Sequence, residues 1–188
     1  MRLCAAVAIV LPAALACSSA PAERETPEAI KNQITQLVEL MRHDDRAQFL
    51  QHLRLLTQFD SFAVPQLVEL LDDQNPRMRE GAAFTLGEIA NDARVIPALK
   101  DHRQDKNEFV RLEVARALLV RGEWSGIPTL IQGLRSEDPA VRMNCNQALR
   151  DETLKDFGFA TDGSSEEREA SIHKWESWWE QAKEEIRS

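Results

Sequence analysis

The chain has 188 residues, of which 31 are acidic and 23 are basic, and its formal net charge is −8. This length favours one domain, and the acidic balance disfavours polyanions as ligands, so we expect no nucleic-acid partner. Glycine and proline are not in excess and tyrosine is absent, a composition that favours helices over strands.

Residues 1–16 have the features of an export signal peptide. Arg2 provides a positive start, a short apolar run follows, and Ala-Leu-Ala directly precedes Cys17. The run is shorter than the roughly 20 residues of a membrane span. Leu-Ala-Cys-Ser-Ser resembles the lipobox of bacterial lipoproteins, which implies lipidation of Cys17 and a membrane-anchored protein that faces the periplasm or the cell exterior. The alternatives are cleavage without lipidation, which gives a secreted soluble protein, and an uncleaved segment.

Residues 17–26 are polar, contain proline and lack periodicity, which predicts a short tether. Residues 27–59 carry two helical patterns, which predict an N-terminal capping helix pair with Thr26 as N-cap and the following proline in the first turn. Arg46 precedes Arg79 by 33 residues. We therefore interpret this pair as a diverged first repeat, since end repeats are usually atypical.

Residues 60–154 contain a two-helix unit that occurs three times. Prolines mark one position of the unit and arginines mark another, and both sets step by 32 and then 31 residues. A fixed period of this size is typical of a solenoid, in which no single helix pair can bury its own apolar face and the copies must stack. The marker residues are Pro65, Pro97, Pro128, Arg79, Arg111 and Arg142.

These units resemble bacterial HEAT repeats of the phycobilisome-lyase type in their Pro-x-Leu opening, acidic turn, Pro-x-Val/Met-Arg start and Ala-x-x-Leu core. The resemblance implies an all-α fold, a right-handed solenoid of antiparallel helix pairs with capping helices at both ends. It also implies a ladder in which an Asp and an Arg six positions apart link successive repeats. Ser136 replaces the Asp in the third unit, so we expect the ladder to be broken or shifted there. The expected ladder residues are Asp73, Arg79, Asp105, Arg111 and Arg142.

The C-terminal part predicts a loop followed by a lid. Residues 155–165 are rich in Gly, Ser and Asp, which is typical of a loop. Residues 166–188 predict a capping helix with Trp175 and Trp179 on its apolar stripe, and the segment resembles the tail of many exported bacterial HEAT-repeat proteins. Trp178 lies off this stripe, and an exposed tryptophan can stack on a sugar or anchor a protein contact.

The sequence indicates no catalytic residue, no cofactor and no metal site. None of the four histidines has a second ligand at i+3 or i+4 in a recognisable pattern. One HEAT-repeat enzyme binds iron through His-Glu pairs on its helices, and no His-Glu dipeptide occurs in this chain. Cys145 falls at a core position of the third unit, where we expect a buried thiol.

The remaining candidate site is the concave groove that the second helices of a solenoid line, because such grooves bind peptides and proteins. The sequence thus favours a non-catalytic interaction scaffold or adaptor, a monomer with an unidentified protein or peptide partner. The alternatives are an enzyme or accessory subunit, lyase- or hydroxylase-like, and a structural or carbohydrate-binding envelope component. The candidate partner-binding residues are Glu80, Thr85, Glu113, Arg116, Asn144, Gln147 and Trp178.

Overall fold

The computed structural model describes residues 26–89 and 92–187, and within these ranges the chain is helical, without a β-strand. The predicted signal peptide, the lipidation site Cys17 and the predicted tether up to residue 25 lie outside the described residues. The described helices are α1 (Glu28–Met41), α2 (Arg46–Thr57), α3 (Val64–Leu70), α4 (Pro76–Glu88), α5 (Val95–Asp101), α6 (Glu108–Val120), α7 (Ile127–Gly133), α8 (Pro139–Thr153) and α9 (Ser165–Arg187).

Consecutive helices pair as α1–α2, α3–α4, α5–α6 and α7–α8. The second helices of these pairs form one continuous layer, in which α2 packs on α4, α4 on α6 and α6 on α8. Short connections make the two helices of each pair antiparallel neighbours. The result is a solenoid of stacked helix pairs, which confirms the all-α solenoid fold that the period predicted.

Each second helix begins at an Asp or Asn that caps it. The side chains of Asp45, Asn75, Asn107 and Asp138 each accept a hydrogen bond from a backbone N–H of the first turn, at 2.8–3.2 Å. Such caps satisfy N–H groups that have no partner within the helix. All four second helices therefore start from the same local geometry, which brings equivalent residues of successive units side by side.

The expected start of α1 is wrong by one residue. Pro27, not Thr26, occupies the N-cap position, and no side chain of the described residues caps this helix. The Thr26 hydroxyl instead donates to the carbonyl oxygen of Phe62 at 3.1 Å. Because Phe62 lies in the 3₁₀ turn before α3, this bond ties the N-terminal helix pair to the first repeat.

The apolar core divides into two clusters that meet at α6. Val110, Val114 and Leu118 of α6 belong to the cluster that α1 to α5 share. Ala115 and Leu119 of the same helix belong to the cluster formed with α7, α8 and α9. Because α6 buries side chains on both sides, it joins the N-terminal and C-terminal halves of the solenoid.

Helix α9 covers the open end of the last repeat. Ser164 and Glu167 form its capping box, with the Glu167 carboxylate 2.8 Å from the Ser164 N and the Ser164 hydroxyl 3.2 Å from the Glu167 N. The indole of Trp175 is fully buried at the centre of the C-terminal cluster. The apolar side chains that α7 and α8 turn toward this end are thereby shielded from water.

Gly126 allows the turn before α7 to approach the backbone of α6. A Cβ at this position would lie 2.2 Å from the carbonyl oxygen of Ala115. We therefore expect Gly126→Ala to lower the free energy of unfolding by about 2–3 kcal/mol, measured by urea denaturation. Ser125→Ala is the matched control and should cost clearly less, because it removes one hydroxyl and adds no atom at the close approach. Equal effects of the two changes would contradict this close approach.

Candidate functional site in the groove of the second helices

Arg79 links two successive repeats through buried hydrogen bonds. The side chain is 4% exposed, and its Nη1 donates to the carbonyl oxygens of Asp73 and Gln74 in its own unit, at 2.8 and 3.2 Å. Its Nε and Nη2 donate to the two carboxylate oxygens of Asp105 in the next unit, at 2.7 and 2.9 Å. The guanidinium holds the pKa of Asp105 below its ordinary value through these bonds. The role of this contact is structural.

The ladder extends toward the N-terminus through a different arginine. The Asp73 carboxylate accepts a hydrogen bond from Arg42 Nη2 at 2.7 Å, and this bond lowers the pKa of Asp73. Arg42 directly follows α1, whereas Arg46, the residue that repeat spacing aligns with Arg79, begins α2. In the diverged N-terminal helix pair, Arg42 therefore makes the bond to the next unit, although the repeat period predicts Arg46 for this role.

In the last unit, the arginine of the ladder bonds a backbone carbonyl oxygen in place of an aspartate side chain. Arg111 Nη1 donates to the carbonyl oxygen of Asp105 at 2.8 Å, and Ser136 offers it no carboxylate in the third unit. Arg142 bonds its own turn at Ser136, and its Nη2 donates to the carbonyl oxygen of Thr161 at 2.9 Å. The loop before α9 thus supplies the acceptor that an aspartate of a further repeat would provide.

Helices α2, α4 and α6 enclose a recess of about 570 Å³, which we call the main recess. Phe49, Phe84 and Phe109 line it, and the Phe109 side chain is 49% exposed. A smaller recess of about 70 Å³ lies beside it between α6 and α8. Glu80, Phe109 and Glu113 line both recesses, so together they form one groove along the second helices.

Arg77 is already engaged within the main recess. Its guanidinium carbon lies 4.0 Å from the centroid of the Phe49 ring. Its Nη1 and Nη2 donate to the carbonyl oxygens of Asp44 and Asp45, at 2.8 Å each. This arginine thus spans from α4 to the turn before α2 and keeps that end of the groove in place.

Arg116 is also engaged, on the α6 side of the groove. Its guanidinium carbon lies 5.0 Å from the Phe84 ring centroid. Its Nε donates to Glu113 at 2.7 Å, and its Nη1 donates to Glu88 at 3.3 Å. Arg116 thus forms one ion pair with Glu113 of its own helix and one with Glu88 of α4, beside the Phe84 ring.

Two carboxylates in the groove are only partly neutralised. Burial raises the pKa of Glu113 while the ion pair with Arg116 opposes that shift, and Glu80 raises it further. Glu80 is exposed on the groove side of α4, and partial desolvation there raises its pKa against the attraction of Arg46 and Arg77. Among the contacts of the described residues, Glu80 makes no hydrogen bond or ion pair. Glu80 therefore lacks the direct partner that Arg116 provides to Glu113.

Thr85 is not a groove residue, which corrects the sequence-based expectation. Its side chain is 0% exposed, and its hydroxyl donates to the carbonyl oxygen of Gly81 at 2.9 Å. A threonine that bonds the carbonyl four residues earlier satisfies its own polar group and can be buried in the helix packing. The polar character of Thr85 was therefore a poor guide to its exposure.

Asn144 and Gln147 of α8 are both exposed, but their surroundings differ. Asn144 lines the small recess, whereas Gln147 lines neither recess and donates to the Asp151 carboxylate of its own helix at 2.7 Å. Of the predicted residues, the structure thus brings together Glu80, Glu113, Arg116 and Asn144.

Trp178 lies in the C-terminal aromatic cluster, away from the groove. It is half-buried, with ring centroids 5.7 Å from Trp175, 6.1 Å from Trp124 and 6.4 Å from Phe157. The sequence left the exposure of this ring open, and the structure buries about half of it. With Trp179 at 6.3 Å, four aromatic neighbours leave it less surface on which a sugar could stack, and it packs as part of the lid.

Sequence reasoning did not find Phe84 and Phe109, which give the groove its apolar surface. A signal existed for Phe109, because the equivalent positions of the other units hold Arg77 and Ala140, so this phenylalanine occupies a surface position. For Phe84 the helical pattern alone offers no such signal, since an apolar residue in α4 is expected to be buried.

Metal-ligating groups are not gathered in the groove. In the part of the chain that the structure describes, no three His, Cys, Asp or Glu side chains are placed to hold a metal ion. Cys145 lines the small recess as a buried thiol, and burial raises its pKa to about 12. Such a thiol is unreactive at neutral pH because the thiolate is the nucleophile.

Between residues 26 and 187, apart from residues 90 and 91, no helix combines the length and the apolar character that a membrane crossing requires.

The fold defines the class of this protein, an α-solenoid with a groove along its second helices. Residues 34–119 match the family model of HEAT repeats, so this part of the chain is built of HEAT repeats. A deoxyhypusine hydroxylase of Eremothecium gossypii is 49% identical over 57 residues. The match covers 29% of this chain and 17% of that enzyme's own length.

Proposed function

We propose that this protein is a non-catalytic interaction scaffold or adaptor whose groove receives a segment of a partner protein. The observation that carries the proposal is the half-exposed ring of Phe109 at the wall of the main recess. Aromatic rings in such recesses are typical anchors of protein interfaces. Solenoids present extended surfaces of this kind as their usual mode of action. A monomer with one unidentified protein or peptide partner fits this surface.

Capture of the partner tests the groove. The full-length chain is cross-linked in its native cells and its partners are read by mass spectrometry, beside Phe109→Ala and a control, Leu154→Ala. Leu154 is 88% exposed in a position outside the groove. We expect Phe109→Ala to reduce recovery of the partner at least about tenfold and Leu154→Ala to leave it unchanged. Equal recovery with both variants would place the binding site elsewhere, and absence of any stoichiometric partner would count against a scaffold.

We also propose that Cys17 is lipidated and holds the domain at the extracytoplasmic side of a bacterial membrane. The support is the sequence alone, a short apolar segment followed by Leu-Ala-Cys-Ser-Ser. One acyl anchor binds a membrane only marginally, so stable anchoring needs further lipid chains on the same residue.

Fractionation of cells tests this location. We expect Cys17→Ser to move the protein from the membrane fraction to the soluble fraction. Cys145→Ala is the matched control, because it also removes a thiol but lies in the folded core, and it should stay with the membranes. Retention of Cys17→Ser on membranes would rule out the lipid anchor.

The partial identity to a deoxyhypusine hydroxylase favours one second candidate, a hydroxylase-like enzyme or an accessory subunit of one. Metal analysis of the purified full chain separates this candidate from the scaffold. Iron retained at stoichiometry, and lost together with a hydroxylation activity on chelation, would favour the enzyme.

A further inference from the structure

We propose that the groove accepts an arginine side chain of the partner, held between the Glu80 carboxylate and the Phe109 ring. The inference rests on the proposed role of the groove as a peptide-binding surface and specifies the chemistry of the segment that it binds.

The three phenylalanine rings of the main recess are not equivalent. Phe49 has the guanidinium of Arg77 4.0 Å from its centroid, and Phe84 has that of Arg116 at 5.0 Å. Phe109 has no cation or aromatic ring against it among the described residues, although it is the most exposed of the three. The chain thus supplies a cation to two rings and leaves the third ring open.

The two glutamates of the groove also differ in whether they have a charged partner. Glu113 has Arg116 as its ion-pair partner, whereas Glu80 has no hydrogen bond or ion pair in the described part of the chain. Glu80 lines both recesses together with Phe109. Glu80, the unpaired carboxylate among these described residues, and Phe109, the ring without a cation, therefore line the same space. A cation supplied by a partner could contact both.

The cations already present do not fill this space. Arg77 donates to the carbonyl oxygens of the turn before α2, and Arg116 is held by two glutamates. Arg46 is exposed and attracts Glu80 without reaching hydrogen-bond distance. Four acidic and three basic side chains line the two recesses of the groove. One negative charge is therefore in excess, which favours a basic ligand.

Arginine fits this pair better than lysine. A guanidinium is planar, so it stacks on an aromatic ring while its N–H groups bond a carboxylate at the ring edge. An ammonium is a compact point charge that stays strongly hydrated and cannot form the two-pronged bond. The internal Arg116 contact with Phe84 and Glu113 is an example of the same chemistry within this groove.

The test uses random peptides displayed on phage, selected on the immobilised full-length chain. Selected peptides are synthesised with each arginine either kept or replaced by citrulline, a neutral side chain of nearly the same shape. Their affinities are measured for the wild type, Glu80→Gln, Phe109→Ala and Glu69→Gln. The last variant is the matched control, because Glu69 is exposed on α3 outside the groove. Thermal melts confirm that all four proteins are folded.

The proposal expects arginine-containing peptides that lose at least about tenfold in affinity with citrulline or with Glu80→Gln. Phe109→Ala should cost roughly three- to thirtyfold, and Glu69→Gln should change nothing. Peptides that depend on Phe109 but not on arginine or Glu80 would overturn the arginine inference and leave the groove function standing. Selection of no peptide, or only of peptides that bind Phe109→Ala as well as the wild type, would overturn both.

Discussion

Replacement of Arg79 by methionine should lower the free energy of unfolding by about 3–5 kcal/mol. The substitution leaves the Asp105 carboxylate, whose side chain is 8% exposed, without its two-pronged partner. It also removes the donor to the carbonyl oxygens of Asp73 and Gln74. Buried polar groups without partners lose the hydration that they have in the unfolded chain, which is the reason for the large effect. Urea denaturation followed by circular dichroism measures it.

Arg111→Met is the matched control in the next unit. Arg111 donates one hydrogen bond, to the carbonyl oxygen of Asp105, so its loss should cost only about 1 kcal/mol. The double variant Arg79→Met with Asp105→Leu should recover part of the stability, because it removes both members of the buried pair. Similar losses for Arg79→Met and Arg111→Met would show that the bond to Asp105 contributes nothing.

The pH dependence of the same two proteins gives an independent check. Arg79 lowers the pKa of Asp105 in the folded state through hydrogen bonds. A carboxylate with a lowered folded pKa stabilises the protein above its ordinary pKa, and this stabilisation is lost as the pH falls through the folded value. The difference in unfolding free energy between the wild type and Arg79→Met should therefore be full at pH 7 and should shrink below about pH 4.

Replacement of Trp175 by alanine should cost a similar amount, about 3–5 kcal/mol. The indole is 0% exposed at the interface between α9 and the last repeat. The Phe157 ring meets its plane edge-on with centroids 4.7 Å apart, and Trp178 lies 5.7 Å away. Removal leaves a cavity that the rigid neighbours cannot close, and it loosens the lid. Urea denaturation, together with near-ultraviolet circular dichroism for the aromatic cluster, reports both effects.

Two companion variants decide whether the effect of Trp175→Ala comes from packing. Trp179 is half-buried at the edge of the same cluster, so Trp179→Ala should cost clearly less. Trp175→Phe should retain much of the stability, because the Trp175 indole N–H makes no hydrogen bond that phenylalanine would lose. A loss for Trp179→Ala as large as that for Trp175→Ala would mean that α9 seals the repeat in a different way.

The residues of the candidate site were predictable to different degrees. Glu113 and Arg116 could be placed on the outer side of a second helix, because helical spacing determines which face each residue shares. Thr85 could not, because its burial depends on a hydrogen bond within its own helix and on the neighbouring helix that covers it. Phe109 could be placed at the surface from the equivalent positions of the other units, but the recess that it lines depends on the spacing of α2, α4 and α6.

The sequence by itself determined the repeat architecture and the positions of the core residues. Proline and arginine markers recur at a fixed period, and apolar residues such as Leu118 follow helical spacing. Both patterns are local, so they can be read from the sequence without knowledge of how the helices pack. Only the tertiary structure decided which charges are paired, because Arg42 reaches Asp73 and Arg142 reaches Thr161 across turns whose relative placement depends on stacking. For the same reason, only the assembled groove shows that Glu80 and Phe109 have no partner among the described residues.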